Sequence, residues 1–400
     1  MSKTGVLSGL RVVEVSAFVA VPFGGLMLAQ LGAEVIRIDP LGGGLDFGRW
    51  PISEDGVSLY WAGLNKGKRS VCINVQSEAG RDLVRKLVTA PGQSGGILVT
   101  NLSPPWLDYE EMRTLRDDLI MIVLQGNPNG SAAVDYTVNA AAGFPLVTGQ
   151  DGPVNHVLPA WDLLAGSMVS TAVLAAELRR RETGQGDLVK LSLADVAFTT
   201  VGHLGHVAEV VVSDTDRAGY GNFLYGTFGK DFPTGDSGRV MVVALTPRQW
   251  SALVSATETE AEMADLARSG GWDLADEGDR FKARQGIAEV LGPWFEKRAL
   301  SEVAAKLEAH KVVWGPYQSF RQLHETDPRV DPQHNPVWSN VDQPGIGVFP
   351  APGSPIRFTT GHTPPVSPAP LLGADTEAVL GEVLSLTADQ AADLRKEGVV

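Results

Sequence analysis

At 400 residues the chain is long enough for two domains of ordinary size, or for one large α/β unit with a smaller companion. Apolar residues at 44% and charged ones at 20% fit a globular chain with a sizeable core, and a single cysteine, Cys72, excludes a disulfide framework or a cysteine-based zinc site. A formal charge of −14 argues against a nucleic-acid or anionic-membrane surface and leaves any polyphosphate ligand to local basic clusters. The first residues hold no apolar block of signal-peptide length, and no stretch reaches about 18 uncharged apolar residues, so the cytoplasm is the expected location.

LRVVEVS, 10–16, predicts a strand, 22–31 a helix opened by Pro22, and AEVIRID, 33–39, a second strand: a βαβ unit, hence a parallel, Rossmann-like layer. The connection SAFVAVPFGG keeps its glycines, Gly24 and Gly25, inside the helix and lacks G-x-G-x-x-G, which disfavours a dinucleotide oxidoreductase. NKGKRSVCINV, 65–75, gathers Lys66, Lys68 and Arg69 before another strand, either as a solvated turn or as a phosphate dock. A helix at 78–90 and strands at 97–101 and 119–124 follow. Asn101 and Leu102 stand at a strand's carboxyl end, where open α/β sheets bind ligands, although Asn101 can equally be a turn-former. GNPNGS, 126–131, is a turn, and VDYTVNAAAG, 134–143, opens a helix on Asp135 as its own cap.

LPAWDLLAGSMVSTAVLAAELRRRETGQG reads as a loop delivering Asp162 to the N-cap of a long buried helix that closes on Arg179–Arg181, Gly184 and Gly186. Two readings of Asp162 stay open on these residues. One is a capping carboxylate worth about 1 kcal/mol. The other is a carboxylate kept ionised by helix N–H groups and walled by Pro159 and Trp161, able to act as a covalent nucleophile toward a thioester or ester carbonyl.

DLVKLSLADVAFTTVGHLGHVAEVV combines a strand and a helix whose His203 and His206 read as core or interface residues; with no carboxylates to complete a ligand set, no metal is assigned. From about residue 215, loops and a hairpin turning at 235–238, helices at 248–268 and 280–310 and a strand at 311–317 describe a small α+β domain. The Pro-rich stretch near 350–370 reads as an ordered connection. A strand at PGSPIRF and two capped helices then return to the first domain. The expected division is 1–215, 216–325 and 326–400.

LSGLRVVEVS, LAQLGAEVIRID, NKGKRSV, VTNL, LPAWD, RRRETGQGDLVKLSLADV and the closing LGADTEAVLGEVLSLT…LRKEGVV together resemble the class III CoA-transferase family, the group of formyl-CoA transferase, carnitine CoA-transferases and α-methylacyl-CoA racemase. The match runs nearly end to end in the same order. It implies a Rossmann-like large domain built from both chain ends, a small α+β domain between them, and two ring-like protomers interlocked as an obligate homodimer. It also implies a coenzyme A thioester as substrate, no permanently bound cofactor, and neither nucleic acid nor membrane as partner. In the family's transferases an aspartate at the position of Asp162 attacks the acyl-CoA carbonyl; the resulting anhydride is opened by CoA thiolate to an aspartyl-CoA thioester, and an acceptor carboxylate reverses the sequence. Backbone N–H groups near Val19 and Ala20 are the implied oxyanion donors, with Val19 standing where formyl-CoA transferase has a side-chain amide. The implied CoA contacts are Phe18, Lys66, Lys68, Arg69, Asn101 and Leu102.

The departures are informative. Where the racemases carry a histidine and a glutamate for α-proton transfer, this sequence has Val134 and Thr246, so racemisation is not expected. YGTFGKDF replaces the glycine-rich lid of formyl-CoA transferase. The phrases FVAVPFGGLMLAQLGAEVIRIDPLGGGLDFGRWP, YWAGLNKGKRS, VDYTVN, VNHVLPAWD and GNFLYGTFGKDF resemble one branch, whose members move CoA from C1 to C4 of mesaconyl-CoA. Such an intramolecular transfer suits a small walled pocket, with Phe18, Phe23, Trp50 and Trp161 as the wall. Intermolecular transfer between two acids, and a non-catalytic CoA-binding protein in which Asp162 is only a cap, are the alternatives.

Overall fold

β-branched runs alternating with helices build one parallel sheet in the computed structural model, which describes residues 5–400. In chain order the elements are β1 (Arg11–Val15), α1 (Ala20–Gln30), β2 (Glu34–Asp39), α2 (Leu59–Leu64), β3 (Arg69–Cys72), α3 (Glu78–Thr89), β4 (Ile97–Thr100), α4 (Tyr109–Arg113), β5 (Ile120–Gln125), α5 (Asp135–Ala141), α6 (Phe144–Thr148), α7 (Ala160–Thr183), β6 (Asp187–Ser192), α8 (Leu193–His203) and α9 (His206–Ser213). The strands pair in the order β3-β2-β1-β4-β5-β6, every pair parallel. Central strands buried on both faces read as continuous apolar runs, as ILVT and IMIVL do here. The strand order reverses between β1 and β4. The loops leaving their carboxyl ends, 16–19 and 101–102, therefore diverge and open the crevice in which doubly wound sheets bind ligands.

By contacts the chain divides into one unit running up to Ala142 and continuing through His156–Asp214 and Pro328–Val400, and another made of Gly143–Asn155 and Thr215–Asp327. The second unit has an antiparallel sheet of β7 (Phe228–Pro233), β8 (Arg239–Ala244) and β9 (Val313–Pro316), with α10 (Pro247–Thr257), α11 (Glu260–Gly270), α12 (Glu277–Lys282), α13 (Arg284–Glu296), α14 (Leu300–Ala309) and α15 (Phe320–Thr326). The two helices expected at 248–268 and 280–310 are broken: Glu258 turns left-handed at φ 56 in the first, and the second divides at Ala283 and again between Lys297 and Ala299 into α12, α13 and α14. Residues 143–155, read from sequence with the large domain, belong to this unit; the carbonyl of Gly149 lies where a Cβ on Gly219 would stand, 1.8 Å away.

The tail rejoins the first unit. β10 (Trp338–Gln343) and β11 (Gly347–Pro352) form an antiparallel hairpin, and the strand expected across PGSPIRF is absent: β11 ends at Pro352, with Pro355 close behind to deny further donors. α16 (Thr376–Leu384) and α17 (Ala388–Lys396) follow, and Val379 and Leu380 join the buried cluster of Val71, Leu83 and Leu87. Arg69 fastens this return by pairing with Glu34 at 2.8 Å and Glu382 at 2.7 Å.

α7 is long and apolar enough to cross a membrane by length and composition, although Asp162 and Glu177 interrupt it, so it holds no run of about 18 uncharged apolar residues. Here it packs on α1 and β5 and ends on the buried Glu177–Arg180 pair. A Cβ on Gly166 of α7 would stand 2.4 Å from the carbonyl oxygen of Ala20, and one on Gly24 2.8 Å from that of Gly166; further along, the Ser170 hydroxyl meets Met27 sulfur at 3.8 Å. Contacts advancing together along both helices mean that α1 and α7 run parallel. Their N-termini, with Val19 and Ala20 on one and Asp162 on the other, therefore lie at the same end.

Candidate active site

The β1–α1 loop is fixed from two sides. Asn101 Nδ2 donates to the Ala17 carbonyl at 2.8 Å while its Oδ1 accepts the Ala17 N–H at 3.0 Å. Phe18 is held left-handed at φ 66, a conformation costing a non-glycine residue about 1–3 kcal/mol that persists only where its surroundings impose it. The imposing group is Asp46, whose Oδ2 accepts the Phe18 N–H at 3.0 Å. Asp46 is itself buried and held by Arg37 at 3.1 Å, and Arg37, 1% exposed, also meets Asp39 and Glu14. Lys68 closes this network, its ammonium 2.9 Å from both oxygens of Glu14. Such a network is tolerable only because each charge is paired. It also explains Gly25, where a Cβ would stand 1.8 Å from Glu14 Oε2.

α1 begins after Val19 with no side-chain cap, and Pro22 in its first turn contributes no N–H. The N–H groups at this helix start have no side chain to satisfy them, the usual condition of an anion site.

The start of α7 differs from the sequence reading. Its N-cap is Pro159 and Asp162 is the third helical residue, so Asp162 is not the cap. The N–H groups of Trp161 and Asp162 instead donate to Oδ2 of Asp135 at 2.8 and 3.0 Å. Asp135, expected to cap its own helix, caps α7 from α5, whose N-cap is Val134. One turn further along α5, Asn139 Oδ1 accepts the Trp161 indole N–H at 3.2 Å and faces His156 Nε2 at 2.7 Å. With the helix N–H groups occupied, half-buried Asp162 is not held ionised by them. Burial, and then the charge of Asp135, push its carboxyl up to about 7, with Arg49 opposing. Sequence held two signals for this arrangement: a proline cap has no side-chain acceptor to offer, and Asp135 and Asn139 stand four apart on one helix face.

The other expected site residues separate into two groups. Lys66 is buried with its ammonium on the Gly63 carbonyl, and burial lowers its pKa to about 8. With Val19, Phe23, Tyr60, Pro159 and Leu163 it lines a cavity of about 520 Å³. Leu102 lines a second cavity of about 920 Å³ at the carboxyl ends of the strands, beside Ser16, Ala17, Arg81 and Arg85. Lys68 and Arg69 do not suit ligand contact: Lys68 is sealed in the buried network and Arg69 is committed to Glu34 and Glu382. The Asn101 amide is spent on Ala17. Trp161 is buried, Phe18 is exposed and Trp50 is 76% exposed. His203 is exposed and His206 half-buried, so neither is a core residue.

A crevice at the strand-order reversal, a strained loop ahead of an uncapped helix, and an aspartate in the first turn of its parallel neighbour define a class. The chain belongs to CoA-transferase family III, whose family model matches residues 7–376. It is 50% identical, over 99% of its length and 98% of the relative's, to 2-methylfumaryl-CoA isomerase of Chloroflexus aurantiacus. Succinyl-CoA:mesaconate CoA-transferase of Haloarcula marismortui is 27% identical over 94% of this chain and 96% of its own length. A CaiB/BaiF family protein from Brucella suis superposes with a TM-score of 0.77 at 23% identity, covering 95% of this chain and 100% of that one, and so shares the fold.

Proposed function

We propose that this enzyme moves CoA between the two carboxyl groups of one unsaturated C5 dicarboxylate, converting mesaconyl-C1-CoA into mesaconyl-C4-CoA with Asp162 as nucleophile. The observation that carries the reading is the half-buried Asp162 carboxylate on α7 beside the uncapped start of α1. The Asp162 oxygen attacks the thioester carbonyl, the C–S bond breaks and CoA thiolate leaves with the electron pair; N–H groups at Val19 and Ala20 hold the developing oxyanion. The thiolate then attacks the Asp162 carbonyl of the anhydride, giving aspartyl-CoA and the free dicarboxylate. The C4 carboxylate repeats these steps in reverse, and no proton is gained or lost overall. Val134 and Thr246, in place of the racemases' proton-transfer groups, favour transfer over α-proton chemistry.

The larger cavity suits the nucleotide end of CoA, with Arg81 on its wall as the cation in place of Lys68 and Arg69; Arg85 beside it is already paired with Asp82. An interlocked homodimer in the cytoplasm completes the reading. It is supported by α9, which has no buried residue and exposes Val207, Val210, Val211 and Val212, an apolar strip that a partner copy would cover; a solution mass near twice 42.5 kDa goes with it.

Purified protein given mesaconyl-C1-CoA alone is expected to form the C4 isomer, resolved by chromatography. Product that appears only when a free acid is added would mean intermolecular transfer, and none under either condition would remove both.

A further inference from the structure

We infer that Arg49 is the docking point for the substrate carboxylate that is not joined to CoA. The inference rests on the dicarboxylate reading above and names the residue that would enforce it. Arg49 lies in the loop between β2 and α2, its guanidinium carbon 4.7 Å from the ring centroid of Tyr60 on α2 and 5.5 Å from that of Phe18 on the strained loop. Two aromatic faces orient the cation without neutralising it. No carboxylate among the described residues forms an ion pair with it, whereas the buried Arg37 and Lys68 are fully engaged. Its charge nevertheless reaches Asp162, where it opposes the effect of Asp135.

The electrostatic need is plain. Asp162 and Asp135 already stand together, and the substrate brings one more negative charge as a thioester and two once CoA has passed to Asp162. Without a cation the freed dicarboxylate is repelled before its second carboxyl can react. A planar guanidinium with its fork free meets a carboxylate through two parallel N–H donors. While one end of the acid reacts at Asp162 the other rests on Arg49, and the two exchange places between the half-reactions. Retention of this kind makes the second half-reaction intramolecular.

The test compares two ligands differing only at that group: mesaconyl-C1-CoA and (E)-2-methylbut-2-enoyl-CoA, which has a methyl where the substrate has its free carboxylate. In an Asp162→Asn background, where neither turns over, calorimetry is expected to show mesaconyl-CoA bound about 10- to 100-fold more tightly. Adding Arg49→Met is expected to bring that ratio close to one while affinity for the methyl analogue changes less than about threefold, with Arg49→Lys between because it keeps the charge and loses the fork. With Asp162 intact, Arg49→Met is expected to release free mesaconate, up to about one per active site, leaving CoA as the thioester on Asp162. An unchanged ratio, or equal loss of both ligands, overturns the proposal. If the unmodified enzyme forms no C4 isomer the intramolecular reading fails, while the ligand ratio still decides whether Arg49 selects a free carboxylate.

Discussion

Asp162→Asn is expected to abolish turnover, by about four orders of magnitude or more, and at pH 8 to leave the folded chain more stable than the unmodified one. The first effect follows because an amide oxygen cannot form the anhydride. The second follows from linkage. The folded-state pKa of Asp162 is raised from 3.8 to about 7, so between those values the folded chain holds a proton that the unfolded chain has released. Stability therefore falls as pH rises through that window, and the full penalty is present above it. Each unit of displaced pKa corresponds to about 1.4 kcal/mol, and the discount for partial exposure leaves a gain of about 1–3 kcal/mol for the uncharged side chain. Melting curves at pH 8 and pH 4 check this: the gain belongs at pH 8 and vanishes near pH 4. A role as a simple cap gives the opposite pattern, with stability lost and activity kept.

Asp135→Asn is expected to move the pH dependence of kcat/KM without removing the helix start it supports. Asparagine retains an oxygen for the N–H groups of Trp161 and Asp162 but removes the charge that holds the Asp162 carboxyl up. The reactive form is the ionised one, so kcat/KM of the unmodified enzyme falls about tenfold per pH unit below about 7, and the variant's acid limb lies lower by about half to one unit. Asp135→Ala deletes the acceptor as well, orphaning two N–H groups at a buried helix start, and is expected to lose about 2 kcal/mol or more of stability. An acid limb at the same pH in Asp135→Asn would mean that the neighbouring charge does not tune the nucleophile.

The parallel sheet was legible because strands buried on both faces announce themselves as apolar runs, and Asp162 because Pro159 and Trp161 frame a helix start. What escaped were relations between distant segments. Asp135 was recognisable as a capping carboxylate, but which helix it caps is decided by packing of α5 on α7. Lys68 and Arg69 share a basic motif with Lys66, yet the alternation of the strand they open sends Lys68 into a buried pair with Glu14, 54 residues away, and Arg69 to the returning helices. A cluster of cations in sequence says nothing about which of them remains free. Arg49 is the converse case: nothing marks it in the sequence, and its place is set by two aromatic rings from separate elements.

The most direct measurement is mass spectrometry of the peptide spanning residue 162 after turnover of mesaconyl-C1-CoA in the presence of hydroxylamine, which converts an activated aspartyl carbonyl to a hydroxamate. The modification is expected on Asp162, only when substrate is present, and not in Asp162→Asn. Active enzyme that yields no adduct there, or one carried by Asp135 instead, would contradict Asp162 as the group that is acylated.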